Sequence, residues 1–308
     1  MTTFQSRIHG VIPALLTPLH ADFSADESGL RRLTRRVVDA GCHGFVVLGT
    51  TGEFASIDDA DREVVIRAAV DEADGAVPVI VACGQPNVRR THEQLREAGD
   101  LGADGVLVNP PFYFEMTQDE LVGHFEGVVR ESPVPVLLYN IPRLTGVPAE
   151  PATLPRLRDV GVQGTKDSSG SVSNVMSYLA ATRGGPEFRV IVGGDVTFLH
   201  ALISGAAATT GMTPNLAPQL NLDIYEAWRV GDLEAAAAAQ NRTNEFLELF
   251  QALPGFPHAN AKGLLSRVGV MERWVAPPKT SQDDAQLDAA FELLKSYLPE
   301  FAPTAVPA

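Results

Sequence analysis

Eight short apolar segments punctuate this chain: Val11–Thr17, Gly44–Leu48, Val77–Ala82, Gly105–Val108, Val134–Tyr139, Gly161–Lys166, Arg189–Val192 and Ala206–Thr210. They are apolar and rich in β-branched residues rather than strictly alternating, the pattern of parallel strands buried on both faces. The stretches between them carry apolar residues at helical spacing, such as Leu30, Leu33 and Val37, then Val64, Val65, Ala68 and Ala69. Ser24-x-x-Glu27 and Thr117-x-x-Glu120 read as capping boxes, Asn87 as the cap of the helix after the third strand, and a further helix begins near Ser56. Ser171–Thr182 and Thr197–Ser204 are helical by pattern.

A strand–helix unit repeated to about residue 217 predicts a (β/α)8 TIM barrel, with an open doubly wound sheet as the alternative. No GxGxxG follows the first strand, so a dinucleotide site has no support. From Pro218 the pattern is helix only: Leu220–Val230, Asp232–Phe250, Ala259–Val268 and Gln282–Leu298. The expected division is a catalytic barrel over residues 1–217 and a C-terminal helical region over 218–308 packed on it. The tail Ala302–Ala308, rich in Pro and Ala, is expected to fray.

Composition narrows the partners. A hydrophobic content of 45% and a charged content of 20% over 308 residues fit a globular chain with a large core. A net charge of −14 argues against nucleic acid or an anionic membrane as partner. Cys42 and Cys83 stand apart, which reads as two buried thiols in a reducing compartment. The first residues lack an apolar signal core and no apolar run spans a bilayer, so a cytoplasmic protein is expected. No CxxC and no histidine cluster at metal spacing occurs. His43, His92, His124, His200 and His258 are scattered, and Asp58-Asp59-x-Asp61 reads as the acidic first turn of a helix rather than a metal loop.

In a barrel of this kind the chemistry lies at the C-terminal ends of the strands. There the sequence places Thr50 and Thr51 after the second strand, Tyr113 after the fourth, Tyr139 at the end of the fifth, Lys166 at the end of the sixth, Gly194-Asp195 after the seventh and Gly211 after the eighth. Lys166 is one of only four lysines and ends an apolar segment. An ammonium is costly to desolvate, and a neutral amine attacks carbonyls to form Schiff bases; an ion pair with Asp167 is the plainer alternative. Tyr139 and Lys166 end adjacent strands, which sets their Cα atoms about 5 Å apart, and a phenol beside an amine can shuttle protons. The Gly49-Thr50-Thr51-Gly52 turn offers successive amides and two hydroxyls suited to a carboxylate, and is equally an ordinary βα turn. Glu53 reads as structural, anchoring this loop or capping the next helix.

Taken together, Gly49-Thr50-Thr51-Gly52-Glu53, Tyr139-Asn140-Ile141-Pro142, Gly164-Thr165-Lys166-Asp167 and Gly193-Gly194-Asp195 resemble the dihydrodipicolinate synthase / N-acetylneuraminate lyase family of class I aldolases, from about residue 7 to 298. The resemblance implies that Lys166 forms a Schiff base with pyruvate or another 2-oxo acid and that Tyr139 is the acid/base. It implies that Thr50 and Thr51 bind the carboxylate, with Thr51 also joined to the tyrosine network, and that Gly194, Asp195 and Gly211 line the substrate site. Tyr113 matches the aromatic that the synthase branch lends to a neighbouring subunit, the assembly implied is a homotetramer, a dimer of dimers, and neither metal nor organic cofactor is implied.

One departure matters. The synthases carry Ser-Arg-Thr-Gly after Tyr-Asn-x-Pro, their arginine holding a substrate carboxylate at the cleft mouth, whereas here the run is Arg143-Leu144-Thr145-Gly146. Leu144 supplies no such clamp, and Arg143 is expected to point elsewhere. Asn109, Phe114, Asp195, Thr210 and Asn215 are further candidates for the cleft mouth. The reading reached is an aldolase or lyase joining pyruvate and an aldehyde, acting on a 2-keto-3-deoxy sugar acid or similar 4-hydroxy-2-oxo acid. The alternatives are a dihydrodipicolinate synthase, a dehydratase of a keto-deoxy sugar acid, a phosphate-binding barrel isomerase and a non-catalytic binding barrel.

Overall fold

The computed structural model describes residues 3–298. Eight strands, β1 (Gly10–Val11), β2 (Phe45–Val47), β3 (Val79–Cys83), β4 (Gly105–Val108), β5 (Val136–Asn140), β6 (Gly164–Asp167), β7 (Arg189–Val192) and β8 (Ala208–Thr209), form one parallel sheet, in which β2 to β8 pair each with the next in sequence and β8 pairs with β1. The ring closes between the first two strands through the Ala14↔Val46 bridge, where the Leu15 amide donates to the Val46 carbonyl at 2.8 Å. This is a (β/α)8 barrel.

Within each strand successive side chains face opposite ways, and both faces are apolar. Val46, Ile80, Leu107, Leu137 and Ile191 fill the barrel interior, while Phe45, Val47, Val81, Val106 and Leu138 meet the surrounding helices. Each such side chain contributes about 1.5–3 kcal/mol by leaving water. This is why the strands look uniformly apolar in the sequence although their geometry alternates.

A short helix, α1 (Phe4–Arg7), precedes β1; α2 (Glu27–Asp39), α3 (Asp59–Ala73), α4 (Val88–Asp100) and α5 (Gln118–Glu131) separate the next four strands. Next come α6 (Pro142–Thr145), α7 (Leu154–Asp159), α8 (Val172–Ala181), α9 (Phe198–Ser204) and α10 (Thr213–Leu216). The C-terminal helices are α11 (Pro218–Arg229), α12 (Leu233–Gln251), α13 (Pro257–Arg267) and α14 (Asp284–Leu294). The Thr117/Glu120 capping box and the Asn87 cap form as expected, and Asp59 and Asp61 occupy the first turn of α3.

Several expectations are corrected. Ser24 does not cap α2; an antiparallel bridge between Leu19 and Ala25 keeps that segment extended, and Asp26 is the cap, accepting from the Gly29 amide at 2.8 Å. The turn at Phe54–Ser56 is 3-10 and α3 starts only at Asp59. β1 is shorter than Val11–Thr17, because Pro13 has no N–H to donate to a ladder. The unpredicted α7 lies behind Pro151 and Pro155, which mask its period. The tail Ala302–Ala308 lies outside the described residues.

Candidate active site

The register of β5 and β6 sets Tyr139 directly opposite Lys166. Both point into the barrel above the Leu137 and Ile191 layer, and each is 5% exposed. The Lys166 Nζ lies 4.4 Å from the centroid of the Tyr139 ring, and the Tyr139 hydroxyl lies 3.2 Å from Thr50 Oγ1. Burial alone would push the phenol up. The adjacent Lys166 charge, with hydrogen bonding from Thr50, Ser168 and Lys166, outweighs it and holds Tyr139 below the usual phenol value.

The ion pair between Lys166 and Asp167 does not form. The strand pleat turns Asp167 to the opposite face, where its carboxylate accepts from Asn140 Nδ2 at 2.6 Å, Asn174 Nδ2 at 3.1 Å and Ser169 Oγ at 2.7 Å. Lys166 has no carboxylate partner among the described residues, so its amine is left facing a cavity of about 330 Å³. Thr50, Thr51, Tyr139, Ser168, Gly194 and Gly211 also line that cavity.

The Gly49–Glu53 turn is held by unusual backbone. Leu48 and Glu53, on either side of it, adopt φ of 58° and 56°. Such values are costly for residues with a Cβ and persist where surrounding structure enforces them. The Gly52 carbonyl accepts from Thr17 Oγ1 at 2.8 Å, and a Cβ at Gly52 would stand 3.0 Å from the Leu48 amide. The hydroxyl joined to the phenol is that of Thr50; Thr51, expected in that role, lines the cavity without reaching Tyr139. Glu53 anchors the loop and makes no side-chain cap.

On the far side, Asp195 lines the cavity, but its carboxylate is committed. It accepts from Asn221 Nδ2 at 2.8 Å, Thr209 Oγ1 at 3.3 Å and the Thr213 amide at 3.3 Å, tying the β7 loop to β8 and α11. Burial pushes its carboxyl up against these hydrogen bonds. Gly211 leaves it room, since a Cβ there would fall 2.1 Å from the Asp195 oxygens. Asn215 does not line the cleft; it is fully buried and pins Leu16 and Ala14.

Arg143, expected to point elsewhere, lines the main cavity and pairs with no acid among the described residues. Thr210, Thr213 and α12 complete the cavity wall. The Thr210 hydroxyl is buried at the cavity without a partner among the described residues, the Thr213 hydroxyl is turned to the Asp195 carboxyl, and α12 closes the outer wall with Phe246, Leu247 and Phe250. Of these, Thr210 is among the cleft-mouth candidates of the sequence, whereas Thr213 and α12 carry no local signature of a site. A smaller apolar cavity of about 170 Å³ shares Thr50, Tyr139 and Ile141 with the first and is lined by Phe112, Asn109 and Leu144. Tyr113 stands outside both, 87% exposed, with φ of 89° and its ring edge-on to Phe114; Phe114 is 75% exposed. No helix among the described residues is long and apolar enough to cross a membrane.

Comparison with known proteins identifies the class. The chain matches the Dihydrodipicolinate synthetase family over residues 7–296 and belongs to it. A 4-hydroxy-tetrahydrodipicolinate synthase of Methanopyrus kandleri is 35% identical over 295 residues, covering 95% of this chain and 96% of that one. Escherichia coli YagE, whose name provisionally assigns it 2-dehydro-3-deoxy-D-gluconate aldolase activity, is 31% identical over 93% of this chain and 97% of its own. The crystal structure of YagE with pyruvate matches with a TM-score of 0.88 over 94% of this chain and 98% of that one. The relatives are thus synthases and keto-deoxy sugar acid aldolases, consistent with a class I pyruvate aldolase.

Proposed function

We propose that this protein is a Schiff-base aldolase or lyase acting on a 2-keto-3-deoxy sugar acid or a similar 4-hydroxy-2-oxo acid. The observation that carries the reading is the Lys166 amine, buried without a carboxylate partner, facing a cavity and set against the Tyr139 phenol. The Lys166 amine attacks the C2 ketone, and Tyr139 relays the protons that turn the carbinolamine into an imine and water. Tyrosinate then takes the proton of the C4 hydroxyl. The C3–C4 bond breaks, an aldehyde leaves, and the bonding electrons pass to the imine as an enamine. Reprotonation at C3 and hydrolysis return pyruvate and free lysine; condensation runs the same steps in reverse.

In this reading Thr50 and Thr51 hold the 2-oxo carboxylate on the loop amides, and Gly194, Gly211 and the Thr210 hydroxyl border the rest of the chain. The exposure of Tyr113 supports its placement at a neighbouring subunit's site in a cytoplasmic homotetramer. A synthase acting on a second carboxylate substrate is the other reading the relatives favour; Leu144 at the arginine position counts against it, and Arg143 at the cavity wall keeps a cation within reach.

Sodium borohydride reduction with pyruvate, followed by peptide mass mapping, tests the proposal. A reduced adduct on Lys166, absent in Lys166→Ala, is expected. No adduct with pyruvate or other 2-oxo acids overturns it.

A further inference from the structure

The helices after the barrel do more than cover it. Lys262, on α13, is completely buried, with its Nζ 2.5 Å from Glu53 Oε1, and Glu53 is itself 6% exposed. Among the described residues no other donor reaches that oxygen. The second Glu53 oxygen accepts from the Ala276 amide at 2.8 Å, and the same Nζ donates to the Trp274 carbonyl at 2.9 Å. Glu53 is thus gripped from α13 and from the chain that follows it, and it is the residue that ends the Gly49–Glu53 turn in left-handed backbone. Burial pushes Lys262 below the ordinary lysine value, against the opposing pull of Glu53.

A buried ion pair seldom adds stability over apolar packing of the same size, so its presence calls for another reason. The geometry supplies one. Thr50 and Thr51 lie three and two residues before Glu53, and a rotation of its backbone toward the ordinary helical or extended regions carries both hydroxyls and the loop amides away from Lys166 and Tyr139. An apolar side chain at 262 has no means of holding a carboxylate in that conformation.

We propose that Lys262 and Glu53 are positioning residues, through which the C-terminal helices fix the loop that receives the substrate carboxylate. The inference rests on the reading of that loop given above. Held groups that bind ground state and transition state alike act on KM, whereas a loss of folded enzyme acts on the apparent kcat alone.

The test measures borohydride-trapped Lys166 adduct against pyruvate concentration in wild type, Lys262→Met, Glu53→Gln and Arg62→Met, each below its unfolding temperature. Arg62 is a control: it is buried and paired with Glu97 at 3.2 Å on the outer wall of the barrel, so its loss removes a buried charge without touching the loop. Lys262→Met is expected to raise the half-saturating pyruvate concentration at least tenfold, with a smaller change in the maximal rate. Glu53→Gln, which keeps an acceptor toward Ala276, is expected to fall between it and wild type, and Arg62→Met to leave half-saturation unchanged. Wild-type half-saturation in Lys262→Met and Glu53→Gln overturns the inference, as does an equal shift in Arg62→Met. If Lys262→Met does not fold, Glu53→Gln decides alone. Absence of any adduct in wild type would instead overturn the Schiff-base reading, so the two failures are told apart.

Discussion

The two ends of this barrel are built on opposite terms. At the N-terminal end, His9 and His43 stand just before β1 and β2 and pack with Tyr225 of α11, with ring centroids 4.8 and 4.7 Å apart about His43. The polar atoms there are spent on one another: the His9 Nδ1 lies 3.2 Å from the Tyr225 hydroxyl, and the His43 Nδ1 accepts from the Val11 amide at 3.2 Å. At the C-terminal end, Lys166 and Arg143 face an open cavity with no acid partner among the described residues, the Thr210 hydroxyl is buried there without a hydrogen bond, and the backbone is forced left-handed at Leu48, Glu53 and Tyr113. Polar groups kept unsatisfied and backbone kept strained cost stability, and they persist where a ligand completes them. One end closes the fold; the other waits for a substrate.

The contrast breaks hardest at Lys166. Lys166→Ala is expected to reduce turnover roughly 10⁴-fold or more, as removal of a covalent nucleophile does, while leaving the unfolding temperature level or higher, because no ion pair is lost. A large fall in stability would mean that the lysine serves the fold. Tyr139→Phe keeps the ring packed under the Lys166 ammonium and removes only the hydroxyl. Its expected cost is about 10²–10⁴-fold in rate, with imine formation on Lys166 slowed but still trapped by borohydride.

How far the sequence foretold this depends on the kind of contact. The strand ends, and with them Lys166, Tyr139 and the Gly49–Glu53 turn, follow from local pattern, since apolar runs end where the chain must turn. The residues that missed or were misplaced depend on long-range contact. Thr50 and Thr51 are adjacent, and only the barrel's curvature decides which hydroxyl meets Tyr139. Lys262 looks like any helical lysine until Glu53, far away in the chain, is found beneath it. Arg143 stands one residue before the position of the family's arginine, yet the short α6 carries it to the cavity all the same. α12 enters the site only because α11 turns the chain back over the barrel mouth.

A finer test separates the two threonines. Thr50→Val removes one of the interactions that hold the Tyr139 phenol down. The phenol therefore rises, and the limb of the rate–pH profile that reports it moves to higher pH, with a loss of roughly tenfold in rate. Thr51→Val is expected to leave that limb in place and raise KM. A profile unmoved by Thr50→Val, or moved by Thr51→Val, would mean that the 3.2 Å contact is not what sets the phenol.

The smallest effect belongs to the closed end and appears only on acidification. His43 is held near a value of about 4 rather than the ordinary 6.5, first by burial and then by the neighbouring His9 charge. Between those two values the unfolded chain takes up a proton that the folded chain refuses, so stability falls as pH drops through that window. His124 and His258, also pushed down to about 4 by burial, act in the same direction. His43 is half-exposed, so solvent limits its share to on the order of 1 kcal/mol across the window. His43→Leu gives up the bond from the Val11 amide, which costs about 1 kcal/mol near neutral pH, but it should flatten urea-unfolding stability between pH 6.5 and 4 and leave turnover at neutral pH untouched. A turnover loss in that variant would show that the plugged end of the barrel is coupled to the open one, and the division of labour drawn above would fail.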